Sequence, residues 1–307
     1  LPPGPRIALM SRALFSYHSK VVWGFIKKLE EHEELTWRPI LFGCKEPRED
    51  VMRAQMKEIK RDGYSLVLTV GALYSATAVE AIRNNVFDVP LVYSGVTDPV
   101  KMGLVPALKA EQLITGIVRE QVPYTYLADF MHFIRPQTKR VLIPFYQNAE
   151  FGLYQERLEL LRARFAEFGA ETILLPVCAM TEVIPAVTEY MSAIDTIILP
   201  EGTFISDVTN AIANLCKQYK VMFVGHHIER TDRNPAVTFL QDAEKVGEAL
   251  FDAAYQILEL GKKPAEMPIV ELPDDRQIII DHNACYDQGV DTDTIALFCA
   301  NNNIIVP

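Results

Sequence analysis

SLVLTVGALYSATAVEAI, residues 65–82, is the stretch that decides the fold. An apolar run, Leu66–Val70, meets Gly71, and a helical pattern follows with Ser75 four residues on. The run is continuously apolar rather than alternating, as a strand must be when helices cover both faces of its sheet. The same order of strand, glycine, serine and helix returns in DTIILPEGTFISDVTNAI, residues 195–212, with Gly202 and Ser206 in the matching places.

Outward from these two stretches, strands alternate with helices almost throughout. RIALMS from Arg6, WRPILF from Trp37 and PLVYSGV from Pro90 read as strands around the first. RVLIPFY from Arg140, ETILLPV from Glu171 and VMFVG from Val221 surround the second. Between them, KVVWGFIKKLEE sets Val22, Phe25, Ile26 and Leu29 on one helical face, and VMRAQMKEIKRD does so for Met52, Met56 and Ile59. Alternation of this kind means right-handed strand–helix–strand crossovers and parallel sheets. After VTFLQD comes a long helix, AEKVGEALFDAAYQILELG, stopped by Gly261 and Pro264, then MPIVEL, RQIIID and a helical tail. The fold class is α/β: two doubly wound parallel-sheet, Rossmann-like lobes with a central ligand cleft, joined by several short crossings.

Composition limits the function. With 307 residues, 49% hydrophobic and 23% charged, the chain has core enough for two domains. Forty acidic against 30 basic residues give a net charge of −10, which disfavours nucleic acid and anionic lipid as partners. No apolar run is long enough to span a bilayer. The chain starts at Leu1 without an initiator Met, as a processed or trimmed form does, so a missing leader is no argument for the cytoplasm. Cys44, Cys178, Cys216, Cys285 and Cys299 are odd in number, scattered and without a CxxC pair, so they read as small buried hydrophobes rather than a zinc or disulfide framework, with one bridge left open. His226 and His227 are adjacent on an extended run and point apart, which argues against a shared metal. No metal and no cofactor are expected. GxSxG, GxGxxG, P-loop and HExxH motifs are absent, so a racemase or amidase has no motif in its favour.

The segment VYSGVTDPVKMGLV, from Val92, is similar to the stretch after the fourth strand in one group of ABC-transporter substrate-binding proteins. That group has the type I periplasmic-binding-protein fold and includes proteins assigned as tryptophan and tyrosine binders. LVLTVGALYSATA, LITGIVRE, RVLIPFYQNAE, GKKPAEMPIV and IIIDHNACYDQGV resemble further family segments in the family's order. Three places depart from it. Gly71-Ala72 stands where the family has Gly-Thr, Glu201-Gly202 where an aspartate is usual, and a Pro-Gly-Asn is missing before Ile114. The resemblance implies lobes of residues 1–119 plus 243–270 and 120–242 plus 271–307. It implies an extracytoplasmic protein, periplasmic or lipid-anchored, that binds a small ligand by hinge closure and serves a membrane permease. A monomer is expected. The sensor region of a receptor kinase is the alternative, with an amino-acid-processing enzyme behind it.

In open α/β sheets, ligands sit outside the carboxyl ends of the strands, where helix N-termini favour a carboxylate. Gly71, Ala72 and Ser75 occupy such a place, the glycine admitting close approach and the serine offering a hydroxyl. Thr97 and Asp98 follow the fourth strand, with Thr97 a second donor and Asp98-Pro99 equally readable as a turn. An amino-acid ligand needs an acidic partner for its ammonium group, for which Glu201 and Asp98 compete. Thr203 lies beside Glu201, and Tyr146, Gln147 and Asn148 are second-lobe donors. Ser11, Phe15 and Tyr17 form a wall suited to an aromatic or large apolar side chain.

Overall fold

The computed structural model describes all residues except 1–3, 13–15, 45–47, 97, 120–124, 147–150, 201–207, 227–233, 303, 305 and 307, and gives backbone only for 16, 44, 146, 151–154 and 180. From the amino end run β1 (Arg6–Arg12), α1 (Ser16–Glu30), β2 (Arg38–Cys44), α2 (Glu49–Arg61), β3 (Leu66–Val70), α3 (Ala72–Arg83), β4 (Leu91–Ser94) and β5 (Ile114–Arg119). Next come α4 (Tyr126–Ile134), β6 (Arg140–Tyr146), α5 (Phe151–Glu167), β7 (Glu171–Val177), α6 (Met180–Tyr190), β8 (Thr196–Leu199), α7 (Thr209–Tyr219), β9 (Met222–His226) and β10 (Val237–Leu240). The chain closes with α8 (Ala243–Leu258), β11 (Val270–Leu272), β12 (Gln277–Ile280), α9 (His282–Gln288) and α10 (Thr292–Asn301). These elements divide into two compact units, Leu1–Gln121 with Asp242–Asp274 and Val122–Gln241 with Asp275–Pro307.

The first unit holds a sheet of order β11-β5-β4-β3-β1-β2, parallel at every pairing. The second holds β12-β10-β9-β8-β6-β7, parallel except where β12 runs against β10. Without their outer strands β11 and β12, the two sheets have one topology. In it β3 and β8, the strands of the two repeated stretches, hold the same place. The internal repeat read from the sequence is therefore a repeat of architecture.

Burial explains the pattern. All five residues of β3 are buried, because Val67 faces a core with Met52, Met56 and Ile59 of α2 while Leu66, Leu68 and Val70 face α1 and α8. Each such side chain contributes about 1.5–3 kcal/mol when fully buried. The run ITGIVR, not read as a strand from its pattern, is β5. Its Gly116 has a reason: a Cβ there would stand 2.3 Å from the ring of Tyr93 on β4.

Helix α1 departs from its expected stripe. Val21 and Phe25 are fully buried with Gly24 between them, while Val22, Ile26 and Leu29 flank them half-buried. The cause is a close backbone approach to α8. A Cβ on Gly24 would lie 2.3 Å from the Glu244 carbonyl oxygen, and one on Gly247 would lie 2.1 Å from that of Val21. Among the described residues, no helix is long and apolar enough to cross a membrane.

Candidate functional site

Strand order fixes where to look. In each sheet the chain changes winding direction once, between β1 and β3 in the first unit and between β6 and β8 in the second. Parallel sheets open a crevice at that point, outside the carboxyl ends of the two strands. In the first unit those ends are Arg12 and Val70, followed by α1 and α3. In the second they are Tyr146 and Leu199, followed by residues 147–150 and 201–207.

The first crevice is built around two glycines. Gly71 has φ of +101° and Gly95 has φ of +63°, backbone conformations that side chains other than glycine's rarely adopt. The Gly71 amide donates to the Ser94 carbonyl at 2.9 Å, binding the two turns together. A Cβ on Gly95 would lie 3.1 Å from the Gly71 nitrogen and 3.4 Å from Cε1 of Tyr17. The Tyr17 ring thus rests on the Gly95 turn. Ser11, on β1 beside Val70, is buried and on the strand face of Leu9.

A residue missed in the sequence completes this cluster. His18 lies with its ring over Gly71, where a Cβ would meet Cε1 at 2.7 Å and Nε2 at 3.1 Å. Its Nδ1 accepts the Arg12 amide at 3.3 Å, and its ring meets Tyr17 edge-on with centroids 6.1 Å apart. Burial, aided by the Arg12 charge, pushes the imidazole down to about 4, so it is neutral at physiological pH. The room left by Gly71 is therefore filled by His18 rather than held open, a different reason for the glycine from the one read in the sequence. Adjacent Tyr-His at a helix start carries no periodic signal, so only Gly71 pointed toward this contact.

Ser75 is turned inward. It is fully buried, its hydroxyl donates to the Gly71 carbonyl at 2.8 Å, and Thr69 Oγ1 lies 2.9 Å away. These bonds fasten the first turn of α3 to the end of β3. Ala72 opens α3 half-buried, and Gly71 before it carries no side chain to cap the helix. Asp98 follows the turn reading, since its Oδ1 accepts the Lys101 amide at 2.8 Å and its carbonyl accepts that of Met102. Arg83 braces the rest of this segment through the carbonyls of Gly103 at 2.6 Å and Leu104 at 3.0 Å.

Thr97, Gln147, Asn148, Glu201 and Thr203 lie outside the described residues, as do Phe15, His227 and the side chain of Tyr146. At the carboxyl rim of the second sheet the described groups include His226, buried at the end of β9, with Tyr126 and Arg276. The Arg276 guanidinium sits 4.2 Å over the Tyr126 ring, whose centroid is 6.3 Å from that of His226. No group of three metal-ligating side chains occurs among the described residues. Cys216, Cys285 and Cys299 are buried free thiols and Cys178 an exposed one; burial raises the first three, Cys285 to about 12.

A polar pocket of about 300 Å³ lies elsewhere in the second unit, lined by Lys217, Asn234, Asp281, Asp287 and Gln288 among others. It adjoins the amino ends of β9 and β10, since Gln288 accepts the Phe223 amide and the Asp281 amide donates to Ala236. Its charges are satisfied internally, with Lys217 2.8 Å from Asp287 and Asp281 holding Asn234 and the Ala284 amide.

A family model described as ABC transporter substrate binding protein matches residues 18–304. A tyrosine-binding protein of Clostridioides difficile (strain R20291) is 21% identical over 262 residues, covering 85% of this chain and 74% of that protein. Among solved structures, a protein of Streptococcus pneumonia in complex with L-Trp superposes with a TM-score of 0.79 at 16% identity, covering 95% of this chain and 98% of the other. The ligand-free, open structure of a substrate binding protein with adhesive properties from Clostridium difficile gives 0.69 at 16% identity, covering 99% of each chain.

Proposed function

The chain belongs to the ABC transporter substrate-binding family, and from that premise we propose that it captures an L-amino acid with an aromatic or large apolar side chain for uptake. The family's function is binding, not catalysis, so the site has to recognise a molecule and no chemical step is required of it. The amino-acid reading is carried by the relative that binds tyrosine, whose likeness runs along most of this chain. The L-Trp held by the pneumococcal protein supports it.

The chemistry of a zwitterion assigns the parts. The amino end of α3 and the Thr97 hydroxyl take the carboxylate, with the positive end of the helix adding its field. Glu201 takes the ammonium group, with Asp98, whose Oδ1 accepts the Lys101 amide, as the competing acceptor. Tyr17, with Phe15 and Ser11, forms the wall for the side chain, while Tyr146, Gln147, Asn148 and Thr203 supply polar contacts from the second lobe. Since each lobe carries only part of this set, binding draws the lobes together about their crossings. The partner is the permease of an ABC importer. The protein works outside the cytoplasm as a monomer, in the periplasm or on a lipid anchor.

Calorimetric titration with a panel of L-amino acids, sugars and nucleosides tests the proposal, with small-angle scattering on the same samples. Tryptophan or tyrosine is expected to bind and to reduce the radius of gyration. Binding of a sugar or nucleoside with no amino acid bound overturns the ligand, and binding without compaction overturns the hinge.

A further inference from the structure

His18 is a polar ring placed among backbone atoms at the strand ends of the first unit. Contacts with three pieces of backbone place it. Its Nδ1 accepts the amide of Arg12, the last residue of β1. Its Cε1–Nε2 edge fills the notch that Gly71 leaves at the start of α3. Its ring meets that of Tyr17 in a T-shaped contact, and Tyr17 itself lies against the Gly95 turn. One imidazole therefore touches the end of β1, the beginning of α1 and the β3–α3 turn, the three pieces of backbone that surround the switch point.

We propose that His18 is the positioning residue of the first lobe's ligand site, fastening the start of α1 to the strand ends so that Tyr17 stands as a fixed wall over Gly95. The inference rests on the reading that the ligand occupies this switch point. The residue type follows from the geometry. The position needs an acceptor at the second atom beyond Cβ and a flat edge thin enough for the notch over Gly71. An imidazole accepting at Nδ1 carries its proton on Nε2, which fixes the tautomer. Protonation would set an N–H against the Arg12 N–H, and burial and the Arg12 charge oppose it too. Among the described residues, Arg12 is the charged group facing the ring and Tyr17 the titratable one, while the Gly71 turn brings neither.

Two substitutions separate the roles. His18→Asn keeps an acceptor oxygen at the place of Nδ1, whereas His18→Ala keeps nothing. Amide hydrogen exchange at Arg12 is expected to accelerate roughly tenfold in His18→Ala, the equivalent of one lost hydrogen bond, and to stay near wild type in His18→Asn. Affinity for L-tryptophan and L-tyrosine should fall about tenfold in the first variant and be largely rescued in the second. Nitrogen-15 spectra of the wild-type imidazole should show the Nε2–H tautomer, a reading that needs no variant to fold. Unchanged Arg12 protection in His18→Ala, an Nδ1–H tautomer, or full affinity despite a loosened Arg12 amide would each overturn the proposal. If the wild type binds neither amino acid, the ligand reading fails by itself, and the exchange and tautomer measurements still decide whether His18 fastens the turn.

Discussion

Gly247→Ala sets two physical effects of opposite sign against each other. The residue lies inside α8, where replacing glycine by alanine favours the helix by about 1 kcal/mol. The new Cβ, however, would stand 2.1 Å from the Val21 carbonyl oxygen and 2.6 Å from the Phe25 nitrogen. Both are backbone atoms of α1, so no side-chain rotation relieves the clash. Restoring an ordinary separation of about 3.5 Å asks α1 to retreat by roughly 1.4 Å from a tightly packed core. Overpacking of this kind costs about 1–3 kcal/mol, and contact with backbone puts this case at the upper end. The net expectation is a loss of about 2 kcal/mol, or a fall in Tm of roughly 4–8 °C for a unit of this size. Urea and thermal denaturation of the ligand-free protein would measure it. Because α1 also carries Tyr17 and His18, amino-acid affinity should fall with stability. An unchanged or raised Tm would mean that helix propensity wins and that the two helices do not meet at their glycines.

Two further outcomes follow from the site. Glu201→Gln should weaken amino-acid binding by tens-fold or more, since losing an ion-paired hydrogen bond in a closed site costs about 2–5 kcal/mol, with the ligand-free Tm nearly unchanged; equal affinity in calorimetry would make Glu201 a bystander and Asp98 next to test. Stability should depend on pH through His18, whose imidazole is pushed down to about 4 in the folded chain from its ordinary 6.5. Between those values the unfolded chain binds the extra proton, so stability falls as pH drops from 6.5 to 4, by up to about 3 kcal/mol. His18→Asn should lack that component in urea titrations across the range, and an identical pH slope in both proteins would remove His18 as its source.

The architecture was legible because parallel strands buried on both faces have no choice but to be apolar throughout, as Leu66–Val70 are. Where one residue answered to a distant partner, the sequence was silent. Gly116 looks like a break in a strand until the Tyr93 ring is seen against it. Gly24 moves the buried stripe of α1 because the contact that decides the stripe is with α8, more than 200 residues away in the chain. The turn that joins β3 to α3 was legible in place, but not the partners of its side chains. A glycine followed four residues later by serine reads alike whether the hydroxyl meets a ligand or returns to its own turn. In the structure the Ser75 hydroxyl meets the Gly71 carbonyl and Thr69. His18 carried no pattern at all, for its partners are an amide at the end of β1 and a missing side chain at Gly71.

The central claim is that an amino acid is held by the switch-point crevice of the first lobe, and a crystal structure grown with L-tryptophan tests it most directly. The ligand carboxylate should lie within hydrogen-bonding distance of the first amides of α3, its side chain should lie against Tyr17, and its ammonium group should meet the Glu201 carboxylate. Density for the ligand in the polar pocket lined by Lys217 and Asp287, or crevices left empty at a ligand concentration that saturates binding in solution, would contradict it.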